Sequence, residues 1–186
     1  MGVFDWLRGG KGRANRRITE WHREWSDAAA APDASRIVEL EGRLERLGLP
    51  EEEVEIEREM LVGLGELVEL REAASNHGLP TIETGHRVVG TDTCHFSVPA
   101  SRPDDPAQPS GRLILTGRRV IFAGGPHAVT VPWHAITKVM SADRDIILIR
   151  ADADTLYRFR CNSYGEALCG TFIARALSNG RRSKPL

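Results

Sequence analysis

The sequence contains 186 residues, of which 41% are hydrophobic and 27% are charged, and its formal net charge at pH 7 is −1. This length allows one core of ordinary domain size and a smaller additional unit. No apolar run approaches the roughly 20 residues that a membrane-spanning helix needs, and the N-terminal residues lack the pattern of a secretory signal. We therefore expect a soluble protein with a cytoplasmic location, either free or peripheral at the membrane.

The charge is divided unevenly along the chain. Residues 1–31 carry a net charge of +2, residues 33–72 a net charge of −8, and residues 83–186 a net charge of +5. Such a division is typical of segments with separate solvent-exposed faces. We interpret the acidic middle as a solvated helical face. The alternatives are a basic partner and compensation by the basic ends of the same chain.

Residues 1–14 are predicted to form a flexible basic leader, because Gly9, Gly10 and Gly12 interrupt its short apolar part. Aromatic residues followed by cations are nevertheless typical of a segment that binds an anionic membrane surface. The candidate lipid contacts are Phe4, Trp6, Leu7, Arg8, Lys11 and Arg13. A peripheral membrane protein anchored by this leader is therefore an alternative.

Residues 15–80 are predicted to form a helical region of about three helices. In the first helix, from about Asn15 to Ala31, Trp21 and Trp25 lie on one stripe, which is typical of packing residues. The second helix starts at a cap, either Asp33 or Ser35, and stops at a glycine. Its apolar stripe is narrow and consists of Ile37, Leu40, Leu44 and Leu47.

The third helix is predicted from about Glu51 to Asn76, before a stop at Gly78. Its apolar residues cover about half of the helix surface, which is too wide for contact with a single neighbour. We therefore expect it to supply the main contact surface, either with the β domain or with a second copy of the chain. The candidate interface residues are Leu61, Leu64 and Val68. In the alternative, the tryptophan stripe covers this face and completes a three-helix bundle.

Residues 81–180 are predicted to form a β domain that ends in a helix. Short β-rich runs alternate with turn residues, and the connections are too short for crossover helices, so the strands should be antiparallel. The seven predicted strands are Arg87–Val98, Arg112–Thr116, Arg119–Ala123, His127–Val131, Ile136–Ser141, Asp145–Arg150 and Thr155–Cys161. They favour two nearly orthogonal sheets that form an open barrel.

The final helix is predicted to begin at the capping box of Ser163 and Glu166 and to close one end of the barrel. Leu168, Phe172 and Ile173 are expected to cover that end. Asn179 and Gly180 should stop the helix, and residues 181–186 would then form a basic tail.

A family pattern covers about residues 85–178. The stretch from Gly111 to Phe122 reads GRLILTGRRVIF, and VPWHAI from Val131 to Ile136 precedes Val139. This stretch resembles the pleckstrin-homology (PH-like) superfamily, and most closely its GRAM and bacterial PH-like branch. The resemblance implies an α+β protein with a PH-like barrel that binds lipid headgroups, peptides or other subunits, without catalysis.

The first loop of this domain departs from the phosphoinositide-binding members, which place cations there. Here the segment 99–110 contains four prolines, and Arg102 is accompanied by Asp104 and Asp105. Because a phosphate site needs convergent cations or free backbone N–H groups, specific phosphoinositide binding at this loop is not expected.

No catalytic or metal-binding motif occurs in the sequence. Gly9–Gly12 fails the length and the final Ser or Thr of a phosphate loop, and adjacent Cys94 and His95 point to opposite faces of a strand. The three cysteines match no redox or zinc spacing and are expected to be reduced. We therefore predict no catalytic residue, no cofactor and no metal, and no nucleic-acid partner.

The sequence thus predicts a non-enzymatic scaffold that engages protein partners, or self-associates into a homo-oligomer, through its PH-like domain and its helical arm. The alternative is a peripheral protein bound to an anionic membrane through the basic leader. An enzyme of an unrecognised type is the third hypothesis.

Overall fold

The computed structural model describes the backbone of residues 3–182 except 108, 125–127 and 152–155, and the side chains of residues 16–180 with the same gaps. The chain divides into two compact units, Met1–Val68 and Glu69–Leu186. We call the first the helical unit and the second the β unit. Among the described residues, no helix combines the length and the apolar character that a membrane crossing requires.

The helical unit is built from α1 (Val3–Ala30), α2 (Ala34–Glu45) and the N-terminal part of α3 (Glu55–His77), with a 3-10 turn at Glu51–Glu53. Two buried tryptophans of α1 hold these helices together. The indole N–H of Trp21 donates to the carbonyl of Leu40 on α2 at 2.9 Å, and that of Trp25 donates to the carbonyl of Met60 on α3 at 2.8 Å. Trp21 and Trp25 are therefore packing residues, as their spacing predicts.

The helix ends follow local rules, with one exception. Asp33 caps α2 by accepting a hydrogen bond from the backbone N–H of Ser35, and Gly48 and Gly78 follow α2 and α3 at φ 64° and 80°, as predicted. However, α1 begins at Val3 rather than near Asn15. Glycine lowers helix propensity by about 1 kcal/mol without forbidding the helical conformation, so the three leader glycines do not end the helix.

The β unit contains seven strands followed by α4 (Tyr164–Arg182). The strands are β1 (Cys94–Ser101), β2 (Ser110–Thr116), β3 (Arg119–Gly124), β4 (Val129–Pro132), β5 (Ile136–Ala142), β6 (Asp145–Arg150) and β7 (Leu156–Cys161). All neighbours pair antiparallel, in the order β4-β3-β2-β1-β7-β6-β5. This confirms the predicted α+β class and the seven antiparallel strands.

Three details differ from the prediction. Strand pairing forms one continuous sheet instead of two, although β1 and β7 are joined only through Ala100–Cys161 and Ser101–Arg160. Arg87–Val89 forms a 3-10 turn outside β1, because Gly90 reverses the chain at φ 62°. The last helix runs through Gly180 to Arg182, since this glycine does not adopt a positive φ. Residues 183–186 of the predicted basic tail lie outside the described residues.

The main core lies between the sheet and α4. Its largest fully buried side chains include Phe122, Phe159 and Trp133, and α4 contributes Ile173 with two alanines. Leu168 is buried as well, whereas Phe172 is only partly buried against this core. The predicted covering role of α4 is therefore confirmed, with Phe172 at its margin. Leu70 and Leu79 also pack on the core, so the β unit begins before the sequence pattern changes at residue 81.

Candidate functional site

The predicted contact residues of α3 are mostly internal. Leu64 is fully buried, Leu61 is 9% exposed, and only Val68 is partly accessible. A single copy of the chain therefore covers Leu61 and Leu64, as in the alternative of a three-helix bundle, so these two residues are not free for a second copy. The apolar arc of α3 turns inward because α1 bonds to it through the indole of Trp25.

A groove between α2 and α3 brings apolar side chains to the surface of the helical unit. Its cavity has a volume of about 200 Å³. The lining residues are Glu41, Leu44, Glu45 and Leu49 with Val54, Arg58, Leu61 and Val62. The floor is made of buried leucines and Val54, while Val62 at the rim is 62% exposed. We call this feature the α2–α3 groove.

A second valine extends the exposed apolar surface along α2. Val38 is 69% exposed and precedes Glu41 and Glu45 by three and seven residues, a spacing that places all three on one row of the helix. Val38 and Val62 are among the most exposed large hydrophobic side chains of the described residues. The groove therefore combines a buried apolar floor, the exposed Val62 and acidic side chains, while Val38 lies beyond its lining residues on the α2 row of Glu41 and Glu45.

The groove between α1 and α2 has a different character, because charged side chains form its walls. Arg43 pairs with Glu24, and the guanidinium of Arg17 donates to the carbonyl of Arg46 at 2.8 Å. Arg43 and Glu24 therefore neutralise each other, and a backbone carbonyl holds the guanidinium of Arg17. This groove is a less suitable docking surface than the α2–α3 groove.

Glu57 is a buried carboxylate that the sequence pattern does not reveal. It is 5% exposed, and its Oε1 lies 2.7 Å from His22 Nε2. This contact joins α1 to α3, and it supplies the polar partner that a buried carboxylate requires. Glu57 therefore has a structural role within the helical unit.

In the β unit, the loop between β1 and β2 takes part in a network of ion pairs that reaches β7. Arg102 pairs with Asp105 at 2.9 Å, and Arg158 of β7 reaches Asp104 at 3.5 Å. Arg158 also pairs with Asp145, which is 1% exposed and accepts two further hydrogen bonds from Arg160, at 2.9 and 3.1 Å. Three arginines therefore face three aspartates among the described residues of this network, and their charges balance.

The ionisation of Asp145 depends on this network. Burial raises the pKa of its carboxyl group, but hydrogen bonds and charge attraction from Arg160 and Arg158 outweigh burial and bring the pKa below its ordinary value. The same contact raises the pKa of Arg160. The charged pair is therefore the stable form at neutral pH.

Asp145→Asn should lower the free energy of unfolding at pH 7 by about 1–2 kcal/mol, because both arginines stay partly hydrated after losing their partner. A lowered pKa gives stabilisation that is complete above the ordinary pKa and disappears as the pH falls through the lowered one. The difference between the two proteins should thus shrink below about pH 4. Urea denaturation at several pH values would measure it.

Asp143→Asn is the matched control, because Asp143 is exposed and its positive φ of 52° suits asparagine. It should leave the free energy of unfolding unchanged across this pH range. An Asp145→Asn variant whose stability parallels that of the unaltered chain at every pH would contradict the role of the pair.

Residues of the two sequence segments Gly111–Phe122 and Val131–Ile136 hold the hairpin of β2 and β3 together. Thr116 Oγ1 accepts hydrogen bonds from the backbone N–H groups of Arg118 and Arg119, and the buried indole of Trp133 donates to the Thr116 carbonyl at 2.7 Å. Asp92 then pairs with both arginines. These contacts explain the pattern T-x-x-R and the tryptophan as requirements of the fold.

The β unit has a PH-like fold.

Three solved structures illustrate the likeness. The N-terminal PH domain of human ARAP2 shares 11% identity at a TM-score of 0.39, covering 48% of this chain and 84% of that one. Inner Membrane Complex sub-compartment protein 3 of Toxoplasma gondii shares 8% at 0.38, covering 47% and 77%. The activated truncation of Vav1 shares 8% at 0.42, covering 90% and 45%. No protein-family model and no curated protein matches this sequence. With these TM-scores, the likeness indicates no ligand or partner.

The three cysteines of the PH-like domain form no disulfide, and Cys94 and Cys161 are buried. Burial raises the pKa of the Cys161 thiol to about 12, and burial also raises the pKa of Cys94. His95 Nδ1 donates to the carbonyl of Pro80 at 2.8 Å. Across the described part of the chain, no three or more His, Cys, Asp or Glu side chains are grouped to hold a metal ion.

The candidate lipid contacts from Phe4 to Arg13 belong to α1, where the structure describes the backbone. Their side chains are not among those that it describes. Sequence reasoning missed Val38 and Val62, which lie off the main apolar stripes of their helices. A valine on a helix face otherwise rich in glutamate is the signal that identifies them.

Proposed function

We propose that this protein is a non-enzymatic binding module that engages a protein partner through the α2–α3 groove. The observation that supports this proposal is the exposure of Val62 beside an apolar floor, together with that of Val38 on the helix row of Glu41 and Glu45. Exposed apolar residues grouped around a groove are typical of protein interaction sites, whereas single scattered ones are not. Among the side chains that the structure describes in the helical unit, the exposed large apolar ones are Val38, Ile56 and Val62.

Charge favours a different protein as the partner over a second copy of the chain. Residues 33–72 carry a net charge of −8. A symmetric dimer would bring the same surface of both copies together, so like charges would oppose each other across the interface. Self-association is therefore the less favoured form of this function.

We assign the PH-like domain to the GRAM and bacterial PH-like branch, on the hairpin from Gly111 to Phe122 and the segment from Val131 to Val139. In this proposal the domain is a second binding scaffold for proteins. The neutralised network around Asp104, Asp105 and Asp145 argues against a phosphoinositide headgroup as its ligand.

A cytoplasmic protein with a peripheral membrane anchor is the second candidate. The continuous helix from Val3 favours it, because an anchor that lies in the membrane interface is usually an amphipathic helix. Lys11 and the arginines at 8 and 13 would contact anionic headgroups. This candidate depends on the leader and not on the α2–α3 groove.

A photo-crosslinking residue placed at position 45 of the full chain tests the proposed function. Glu45 lines the groove, so we expect a covalent adduct with one protein partner in the cells that produce this chain. The partner would be identified by mass spectrometry, purified and titrated with the chain. Val38→Ser should then weaken the complex about tenfold, because a buried valine side chain contributes roughly 1.5 kcal/mol.

The matched control carries the same crosslinking residue at position 83, an exposed glutamate of the β unit. Equal adducts at both positions would contradict the proposal. An adduct of the chain with itself would favour self-association. Binding to anionic vesicles that is lost on deletion of residues 1–13, without a protein adduct at position 45, would favour the membrane anchor.

A further inference from the structure

We infer that the occupant of the α2–α3 groove is a basic amphipathic helix of a partner protein. This inference rests on the proposed function and adds the chemistry of the partner. It follows from three features of the groove: its apolar floor, the sign of the charge around it, and the helices that form its walls.

The apolar floor of the groove favours a partner helix that carries an apolar stripe. Leu44, Val54 and Leu61 form it, and the cavity of about 200 Å³ above them admits aliphatic side chains. Val62 continues the apolar surface at the rim, and Val38 is exposed further along α2, on the row of Glu41 and Glu45. Since both valine side chains are accessible in a single copy, a partner gains their burial without unfolding any part of the helical unit.

The negative charge around the floor favours a partner helix with cations on either side of its apolar stripe. Glu41 and Glu45 are exposed on α2, and Glu66 is exposed one helical turn after Val62 on α3. Arg58 is the cation among the lining residues, and its Nε lies 3.9 Å from Glu51. The surrounding potential is thus negative, so lysines or arginines of a partner are attracted and an anionic surface is repelled.

The walls favour a helix over an extended strand. α2 and α3 provide no open strand edge with which an extended peptide could pair. A helix with apolar residues at i, i+3, i+4 and i+7 instead packs between two existing helices, as in a helical bundle. Its lysines or arginines would then lie beside Glu41, Glu45 and Glu66.

The test uses two synthetic, fluorescein-labelled peptides of 18 residues, titrated with the full chain and followed by fluorescence anisotropy. The first contains leucine at i, i+3, i+4 and i+7 spacing with lysine elsewhere, and the second replaces every lysine with glutamate. We expect the Leu/Lys peptide to bind and the Leu/Glu peptide not to bind. Binding of the first should weaken in high salt.

Site variants separate a specific complex from diffuse attraction to an acidic protein. Val62→Ser should weaken binding of the Leu/Lys peptide about tenfold, because one apolar contact is lost. Val88→Ser is the matched control, since Val88 is 41% exposed on the β unit, and it should leave affinity unchanged. Glu41→Lys should weaken binding at low salt, whereas Glu83→Lys on the β unit should have a smaller effect.

Equal affinities of the Val62→Ser and Val88→Ser variants would overturn the inference, as would equal binding of the two peptides. Both valines are exposed, so circular dichroism should show unchanged helicity in either variant. A protein adduct at position 45 together with failure of the Leu/Lys peptide would retain the proposed function and reject the basic helix. Absence of that adduct would reject the proposed function itself.

Discussion

Phe122→Ala should lower the free energy of unfolding of the PH-like domain by about 3–5 kcal/mol. The ring of Phe122 is fully buried in β3, and its centroid lies 5.6 Å from that of Phe159. Its removal forfeits the transfer free energy of the ring, leaves a cavity between the sheet and α4, and deletes an aromatic contact. Urea denaturation followed by circular dichroism would measure the loss.

Phe172→Ala provides the comparison within the same domain. Phe172 lies at the margin of the core, where the guanidinium of Arg71 approaches its ring centroid to 5.9 Å, and the side chain is only partly buried. Its loss should therefore cost less, on the order of 1–2 kcal/mol. A Phe172→Ala variant less stable than Phe122→Ala would mean that the core is centred on α4 rather than on the sheet.

Gly111→Ala should destabilise the PH-like domain by about 3 kcal/mol, the upper part of the range for overpacking. A Cβ at Gly111 would lie 2.4 Å from the carbonyl oxygen of Ala123 and 2.5 Å from the Cα of Gly124. Both atoms belong to the backbone of the paired strand β3, which cannot move aside as a flexible side chain does. Thermal and urea denaturation would detect the loss.

Gly65→Ala in α3 is the matched control with the opposite sign. Among the described residues, no atom outside the adjacent residues and the backbone of the same helix lies within 4 Å of a Cβ built there, and alanine is a better helix former than glycine. It should stabilise the chain by about 0.5–1 kcal/mol. If Gly111→Ala were neutral while Gly65→Ala stabilised, the two strands would have to separate more easily than their register implies.

The results for Phe122→Ala and Gly111→Ala also concern the residues on which the resemblance to the pleckstrin-homology superfamily depends. Gly111, Thr116 and Trp133 are parts of the resemblance, and each has a structural explanation in the β2–β3 hairpin. These three residues of the pattern are therefore explained by the requirements of the fold.

Features with local causes could be predicted from the sequence. The cap at Asp33 and the stops at Gly48 and Gly78 depend on residues within one turn, and strand positions follow from alternation and turn residues. The capping box is confirmed in the same way, since the N–H of Glu166 donates to Ser163 Oγ at 3.1 Å. The helix caps, helix stops and strand positions follow their local sequence patterns because contacts with distant residues do not change them.

Burial of individual side chains required the tertiary structure. The apolar residues of α3 look alike in sequence, yet Leu64 is fully buried and Val62 is 62% exposed, because the position of α1 decides which arc is covered. Likewise the sequence predicts Asp145 only as the first residue of a strand, and it is the register of β6 and β7 that places Arg160 opposite it. The short-range pattern specifies helices, strands and their ends, whereas the α2–α3 groove arises only from contacts between residues far apart in the chain.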